Sequence, residues 1–487
     1  MFNILISLIL LPLIGSLIIC LLDYNNIKAI RTVALYTTTI TFFISLLLLV
    51  FFDKSNFGFQ FLTSINWLNA INVNFVLGID GIALFFILLT TFLFPICILS
   101  SWNYILHNTK LFYVSFLIME TILVLVFSTL DVLFFYMFFE SVLIPMFVII
   151  GVWGARERKI FASYMFFLYT LLGSVLMLIA IFVMYCYTGT TSYEILLTCN
   201  FNENLQLLLW LAFFLSFAVK VPMVPFHIWL PEAHVEAPTP GSVILAGVLL
   251  KLGTYGFMRF SLPLFPYANI YFTPFVFTLG LLGVIYASLI AIRQTDLKRV
   301  IAYASVAHMN LIMIGLFSNN VTAIEGAFLQ MLSHGLVAGA LFLVVGILYE
   351  RFHSRLIKYY SGLVQVMPMF VLFFLFFTLA NIATPGTSSF VGEFLIFIGT
   401  FQNHATVTFL AATGMLFGGI YSLWLYNRIA YGNVKIEYVT NFVDLNKREF
   451  FMLFAILILV IFAGIYPKFF LDFMHASITG LVTFMNI

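Results

Sequence analysis

Charge is scarce in this chain. Asp, Glu, Lys and Arg make up 8% of its 487 residues, against about 25% in an ordinary soluble domain. Hydrophobic residues make up 63%, and mean hydropathy is +1.13. So apolar a chain cannot cover its surface with polar groups, and lipid must be the solvent for most of it. A net charge of +2 leaves no electrostatic footprint for nucleic acid. Cysteine is scarce too. Cys20, Cys97, Cys186 and Cys199 are scattered, and none forms the C-x-x-C pair of an iron–sulfur or zinc site. They read as small buried hydrophobes. No glycine-rich nucleotide turn stands between a strand and a helix, so any redox centre is expected on other chains. Long polar stretches and low-complexity linkers are also missing.

What fills the chain instead is long apolar runs. A run of about 20 residues spans a hydrocarbon core of about 30 Å. Such runs occupy 2–22, 32–52, 82–101, 111–129, 131–153, 162–186, 206–230, 242–261, 272–292, 299–317, 322–349, 366–403, 407–428 and 450–470. The first reads as a span and not a cleaved signal. The predicted fold is therefore all-α, a polytopic membrane protein of about 14 transmembrane helices in a single membrane domain, 1–487. Run 366–403 is too long for one straight helix, and Thr384-Pro385-Gly386 should break it. Charge decides whether it crosses once or twice, because loops on one face collect Lys and Arg. Lys28, Arg31, Lys110, Arg156, Arg158, Lys159, Arg293, Lys298, Arg299, Arg351, Arg355, Lys358, Arg428, Lys435, Lys447 and Arg448 fall in alternate loops. Only Lys54, Arg259 and Lys468 oppose them. That bias survives only if 366–403 crosses once, which puts both termini on the charge-poor side.

Lys220 and Lys251 remain, both inside spans. An ionised group at mid-bilayer costs about 2.5–3.5 kcal/mol on insertion scales, so such groups are functional candidates. Glu140, His308, His334 and Glu393 join them at similar depth in other spans, and Glu120 reads as lying toward an end of 111–129. A row of titratable groups across the membrane suits protons. Burial and neighbouring carboxylates control whether a lysine keeps its proton, and histidine relays through two ring nitrogens. The row lacks the oxygen cage of a calcium or magnesium site. The bland readings are an inert Lys–Glu pair and hydrogen-bonded helix-contact histidines. Helix breaks favour the functional one. Pro222 and Pro225 interrupt the seventh span beside Lys220, and Pro385 and Gly386 interrupt the twelfth near Glu393. Irregular backbone at depth is tolerated where it lines a cavity or protein interior, and paired breaks point to an internal repeat. We read two inverted five-helix repeats, spans 4–8 and 9–13. The N-terminal helices then cover 1–110, the repeats 111–261 and 272–428, and a C-terminal loop and last helix 429–487.

The stretch Ala218–Pro238, with Lys220, Pro222, Pro225, His227, Trp229, Glu232, His234 and Glu236, resembles the signature of the antiporter-like subunits of respiratory complex I. Ile301–Asn310, Met331–Gly335, Phe134–Pro145 and Pro385–Phe394 are similar to the same family. The likeness extends over about 110–430. Glu393 narrows it to the branch with glutamate where sibling subunits carry lysine. The resemblance implies residue roles. Glu140 pairs with the seventh-span lysine, and Lys220 is the central proton carrier. Lys251, His308 and His334 connect half-channels, and Glu393 ends the exit path. His227 and His234 receive no transport role; His234 and Glu236 order a helix end.

It also implies a proton-translocating membrane-arm subunit of NADH:ubiquinone oxidoreductase, coupled to quinone reduction. No cofactor or metal is expected on this chain, since flavin, iron–sulfur clusters and ubiquinone bind other subunits. Partners are other membrane-arm subunits, including neighbouring antiporter-like ones, and membrane lipids. The alternatives are a subunit of a multi-subunit sodium/proton antiporter, or a scaffold with inert buried charges. Sixty Phe with many Ile, Asn and Tyr point to an AT-rich coding genome. The expected site is the mitochondrial inner membrane, with a bacterial plasma membrane as the alternative.

Overall fold

In lipid each spanning segment must satisfy its own backbone hydrogen bonds, which leaves the helix as the form open to a single chain of this composition. The computed structural model describes residues 4–68, 72–435 and 443–485. Among them, thirteen helices are long and apolar enough to cross a membrane: Ile4–Leu21, Ile27–Phe51, Gly81–Ser101, Thr109–Ser128, Val132–Trp153, Lys159–Thr188, Glu203–Lys220, Thr239–Leu264, Pro266–Arg293, Leu297–Leu316, Val321–Phe352, Ala405–Ala430 and Lys447–Ile465. Two shorter helices, Pro368–Asn381 and Ser388–Asn403, together form the twelfth span. With it the spans follow the expected order. Each repeat holds an odd number of crossings, so the second starts from the opposite face and is inverted relative to the first.

Contacts between loops agree with the single crossing at 366–403. Lys435 Nζ donates to Lys358 O at 2.6 Å, and Gly362 N donates to Tyr431 O at 3.0 Å. Arg351 pairs with Glu449 at 2.7 Å. Asp444 caps Pro368–Asn381, accepting from Met369 N and Phe370 N at 3.0 and 3.1 Å. The turns before the twelfth span and after the thirteenth therefore share one face, as two crossings would forbid. On the other face Lys54 Nζ lies 4.0 Å above the Phe473 ring.

The eighth and eleventh spans, Thr239–Leu264 and Val321–Phe352, are buried throughout their apolar stretch, so they form the axis of the bundle. They touch at glycine. A Cβ on Gly335 would sit 2.9 Å from Gly247 O, so only a hydrogen fits there. Gly253 lies equally tight against the seventh span, where a Cβ would meet Phe217 O at 2.8 Å and Val221 N at 2.9 Å.

The structure departs from the expected fold in several places. The chain is not wholly helical, because Gln60–Leu68 pairs antiparallel with Val73–Ile79 in the segment between spans two and three. A further amphipathic helix, Lys468–Met485, follows the last span. It packs against the start of the third, where Gly81 N donates to Ser477 Oγ at 3.1 Å. Glu120 stands in the middle of its helix, not near an end, fully buried and accepting from Thr41 Oγ1 at 2.8 Å. Three cations counted as loop anchors are interior. Arg259 is buried against Asp80 at 2.5 Å. Arg355 and Lys298 are buried too, Arg355 between the carboxylates of Glu236 and Asp296 and Lys298 on the Ala237 carbonyl. Of the four cysteines only Cys97 is buried; Cys20 and Cys186 face outward. In lipid an exposed thiol pays no penalty, so apolarity did not predict its burial.

A membrane-permeant maleimide added to the folded protein should therefore modify Cys20 and Cys186 and spare Cys97, as read by peptide mass spectrometry. Modification of Cys97 at the same rate would contradict the packing of the third span on the eighth.

Candidate functional site

The seventh span stops as a helix at Lys220, so Pro222 and Pro225 lie in the break and not inside a helix. Proline at these places removes the donors that would continue the ladder. Side chains take over part of the freed backbone. Trp229 Nε1 donates to Val219 O at 2.8 Å, and Asn310 Nδ2 reaches Pro222 O at 3.1 Å. The chain resumes as the helix Trp229–Glu236. Glu232 on it pairs with Arg299 at 2.7 Å and Arg158 at 3.6 Å, which ties this half to the charge-rich face.

Lys220 is thus left at a helix end inside the protein. Its Nζ donates to Phe139 O at 2.7 Å and lies 3.5 Å from Glu140 Oε1. Glu140 itself stands where the fifth span is interrupted at Val142. Pro145 contributes to that interruption, since it cannot donate to Ser141 O. Neither carboxylate oxygen of Glu140 makes a hydrogen bond among the described residues. The ammonium 3.5 Å away is its compensation.

A second group forms across the bundle axis. The eighth span contains two π-helical turns, Leu245–Leu249 and Phe257–Ser261, a distortion frequent at functional sites. Lys251 lies between them and donates to Ala246 O at 2.5 Å. Its Nζ is 2.7 Å from His334 Nδ1 on the eleventh span. The His334 and His308 rings are 5.9 Å apart between centroids. His308 Nδ1 is 3.0 Å from Glu393 Oε1, and Gln330 Nε2 donates to that same oxygen at 2.9 Å. Lys251, His334, His308 and Glu393 therefore stand in sequence across four helices.

Glu393 owes its place to the second break. Gly386 adopts φ +93°, a left-handed conformation that glycine reaches freely. Thr387 Oγ1 closes the turn on Thr384 O at 2.7 Å. Ser388 and Ser389 each lie 2.7 Å from Ser333 Oγ, which fastens the resumed helix to the eleventh span.

All six expected site residues are thus inside the bundle, in two groups. Lys220 with Glu140 is one, and Lys251, His334, His308 and Glu393 the other. No hydrogen bond among the described residues joins Lys220 to Lys251; the groups meet through the Gly253 contact between their helices. His227 and His234 join neither group. His234 stacks on Phe342 at 4.5 Å, and both its ring nitrogens lack a hydrogen-bond partner among the described residues. Glu236 lies 3.7 Å from Arg355, which also approaches Asp296 at 3.8 Å. Lys298 Nζ donates to Ala237 O at 2.8 Å close by. Sequence reasoning missed this buried cluster, and it missed Gln330 and Ser333. The available signal was polar residues inside an otherwise apolar eleventh span.

Such a row can move protons. Lysine, imidazole and carboxylate exchange them readily, and a bridging water can close gaps longer than a direct hydrogen bond.

Residues 129–418 match the model of a family described as NADH:quinone oxidoreductase/Mrp antiporter, TM. Proteins named NADH-ubiquinone oxidoreductase chain 4 from Marchantia polymorpha and Arabidopsis thaliana are each 58% identical over 476 residues, covering 98% of this chain and 96% of the relative. The protein of that name from Chondrus crispus is 55% identical over 486 residues, covering 100% of this chain and 99% of the relative. A chain in the respiratory complex I structure from Thermus thermophilus with bound NADH superposes with a TM-score of 0.90 at 27% identity, covering 99% of each. A chain of the membrane-bound sulfane sulfur reductase, an archaeal respiratory membrane complex, shares the fold with a TM-score of 0.84 at 22% identity. That match covers 94% of this chain and 76% of that one.

The glycine contact behind Lys251 and His334 is open to test. Gly335→Val should force the eighth and eleventh spans apart and cost about 1–3 kcal/mol, the usual penalty of overpacking. Gly339→Ala is the control, because its Cβ would meet Val243 Cγ1 at an ordinary 3.5 Å. Thermal unfolding in detergent should show a lowered midpoint for the first and little change for the second.

Proposed function

The chain belongs to the NADH-ubiquinone oxidoreductase chain 4 family, within the NADH:quinone oxidoreductase/Mrp antiporter membrane proteins, and on that footing we propose that it translocates protons in the membrane arm of a respiratory complex I. The observation that carries this reading is the contact sequence Lys251–His334–His308–Glu393, with Lys220–Glu140 packed beside it. We place the chain in the mitochondrial inner membrane, a reading supported by the eukaryotic relatives of that name at 55–58% identity. Quinone reduction, flavin and iron–sulfur clusters belong to other subunits of the complex. Four scattered cysteines fit that division.

In this mechanism the Lys220 ammonium is held by Glu140 and by Phe139 O. A charge or conformational change arriving from a neighbouring subunit draws Glu140 away. Lys220 then gives its proton, through water, to Lys251 across the Gly253 contact. Lys251 passes it to His334 Nδ1. His334 and His308 relay it to Glu393, whose Oε1 the Gln330 amide orients. Glu393 stands beyond the second helix break and releases the proton. Each transfer leaves the donor ready to be reprotonated from behind, so the chain resets without net chemistry. The two breaks matter because a continuous helix would bury these groups against its own neighbours, with no irregular backbone around which the contact could change.

The test uses the assembled complex in sealed vesicles. Lys220→Met should lower the protons pumped per NADH oxidised while oxidation continues. It also leaves Glu140 without its cation, a loss of about 3–5 kcal/mol. Adding Glu140→Gln should recover stability and not pumping. Recovery of pumping in the double variant would favour inert structural pairing and overturn the proposal. Migration of this chain in a small assembly without NADH-oxidising activity, with sodium-dependent transport, would instead assign it to an antiporter.

A further inference from the structure

The charge-rich turns that follow the ninth, eleventh and thirteenth spans border an open cavity of about 910 Å³ that none of the titratable-row residues lines. Its size falls within the range of about 300–1,000 Å³ common to ligand pockets. Lys358, Arg428 and Lys435 line it, and among the described residues no Asp or Glu does. Among the described residues none of these three cations has a carboxylate within ion-pair distance. The fold brings all three to the lining of one cavity. Lys435 Nζ is bonded to the Lys358 carbonyl at 2.6 Å, and Arg428 lies over the Trp424 ring at 5.6 Å. Cations without a carboxylate partner among the described residues can take an anion in the cavity as their counter-charge.

The surroundings select the kind of anion. Trp424 and Tyr431 line the same cavity, and amphipathic aromatics mark the headgroup level of a bilayer. Ile420 and Leu423 are exposed on the thirteenth span one to two turns below, as are Tyr286 and Leu289 on the ninth. A dissolved phosphate would use the cations alone. A phospholipid would use the cations, the aromatic rim and the apolar faces together. Basic pockets between spans on this face of a membrane are suited to anionic lipid headgroups.

We propose that this cavity binds the phosphate headgroup of an anionic phospholipid, with Lys358, Arg428 and Lys435 as its cationic contacts and the acyl chains lying along the ninth and thirteenth spans. The lipid would join three turns on the face from which the second repeat's helices emerge. This goes beyond the proton-transfer reading and does not depend on it.

The experiment reconstitutes the assembled complex in nanodiscs containing trace photoreactive phosphatidylglycerol or photoreactive phosphatidylcholine. Label on peptides of this chain is then quantified by mass spectrometry. Phosphatidylglycerol should label the end of the thirteenth span, around residues 420–431, in preference to phosphatidylcholine. Each cation is worth about a fivefold change in lipid retention. Lys435→Gln, at an exposed position, should weaken labelling about fivefold. The triple variant with Lys358→Gln and Arg428→Gln should weaken it about a hundredfold if it assembles. Equal labelling by both lipids, or labelling unchanged in Lys435→Gln, overturns the proposal. So does loss of the label to millimolar inorganic phosphate, which would make the cavity a site for free anions.

Discussion

An ion inside a bilayer must find its solvation within the protein, and the architecture follows from that requirement. Lys220 takes a backbone carbonyl, a carboxylate and the end of a broken helix. Lys251 takes the carbonyl of a π-helical turn and an imidazole. Neither cation could stand on a regular helix facing lipid. The irregular backbone that receives them must in turn be bonded by side chains, which explains the Trp229 and Asn310 contacts at the first break and the threonine and serine contacts at the second. Ions, breaks and the polar residues around them form one interdependent set.

The bundle axis serves that set. The eighth and eleventh spans are buried throughout their apolar stretch and meet at Gly247 and Gly335. Close backbone approach brings Lys251 and His334 within 2.7 Å. A bulkier interface would leave the two groups out of reach, and the row would be cut at its centre. Rigid packing around a few polar contacts lets a small movement of one partner matter, since dense interiors adjust in discrete steps and not continuously.

Charge on the surface works by another rule. Cations on the loop-rich face are not all free anchors. Arg355 and Lys298 are buried among Glu236, Asp296 and backbone carbonyls, where they hold the ends of the seventh, eighth, tenth and eleventh spans together. Lys358, Arg428 and Lys435 stay exposed around an open cavity. The same residue types thus do interior and interfacial work within a few turns of one another. Only their partners tell the two apart.

Much of this was legible in the amino-acid order, because a bilayer leaves few options. Span lengths, the loop charge bias and the proline positions gave the fourteen crossings, the single broken crossing at 366–403 and the candidate residues at mid-depth. The limits were equally physical. Hydropathy cannot see the paired strands Gln60–Leu68 and Val73–Ile79 or the amphipathic helix Lys468–Met485, since all lie outside the hydrocarbon spans. It assigned burial to Cys20 and Cys186, which face outward, because lipid and protein interior are equally apolar. Which residues share a helix was readable in the sequence. Only the tertiary structure decided which helices touch. Residues such as Gln330 and Glu393, 63 positions apart, meet because close packing at the bundle axis and the second break bring them there.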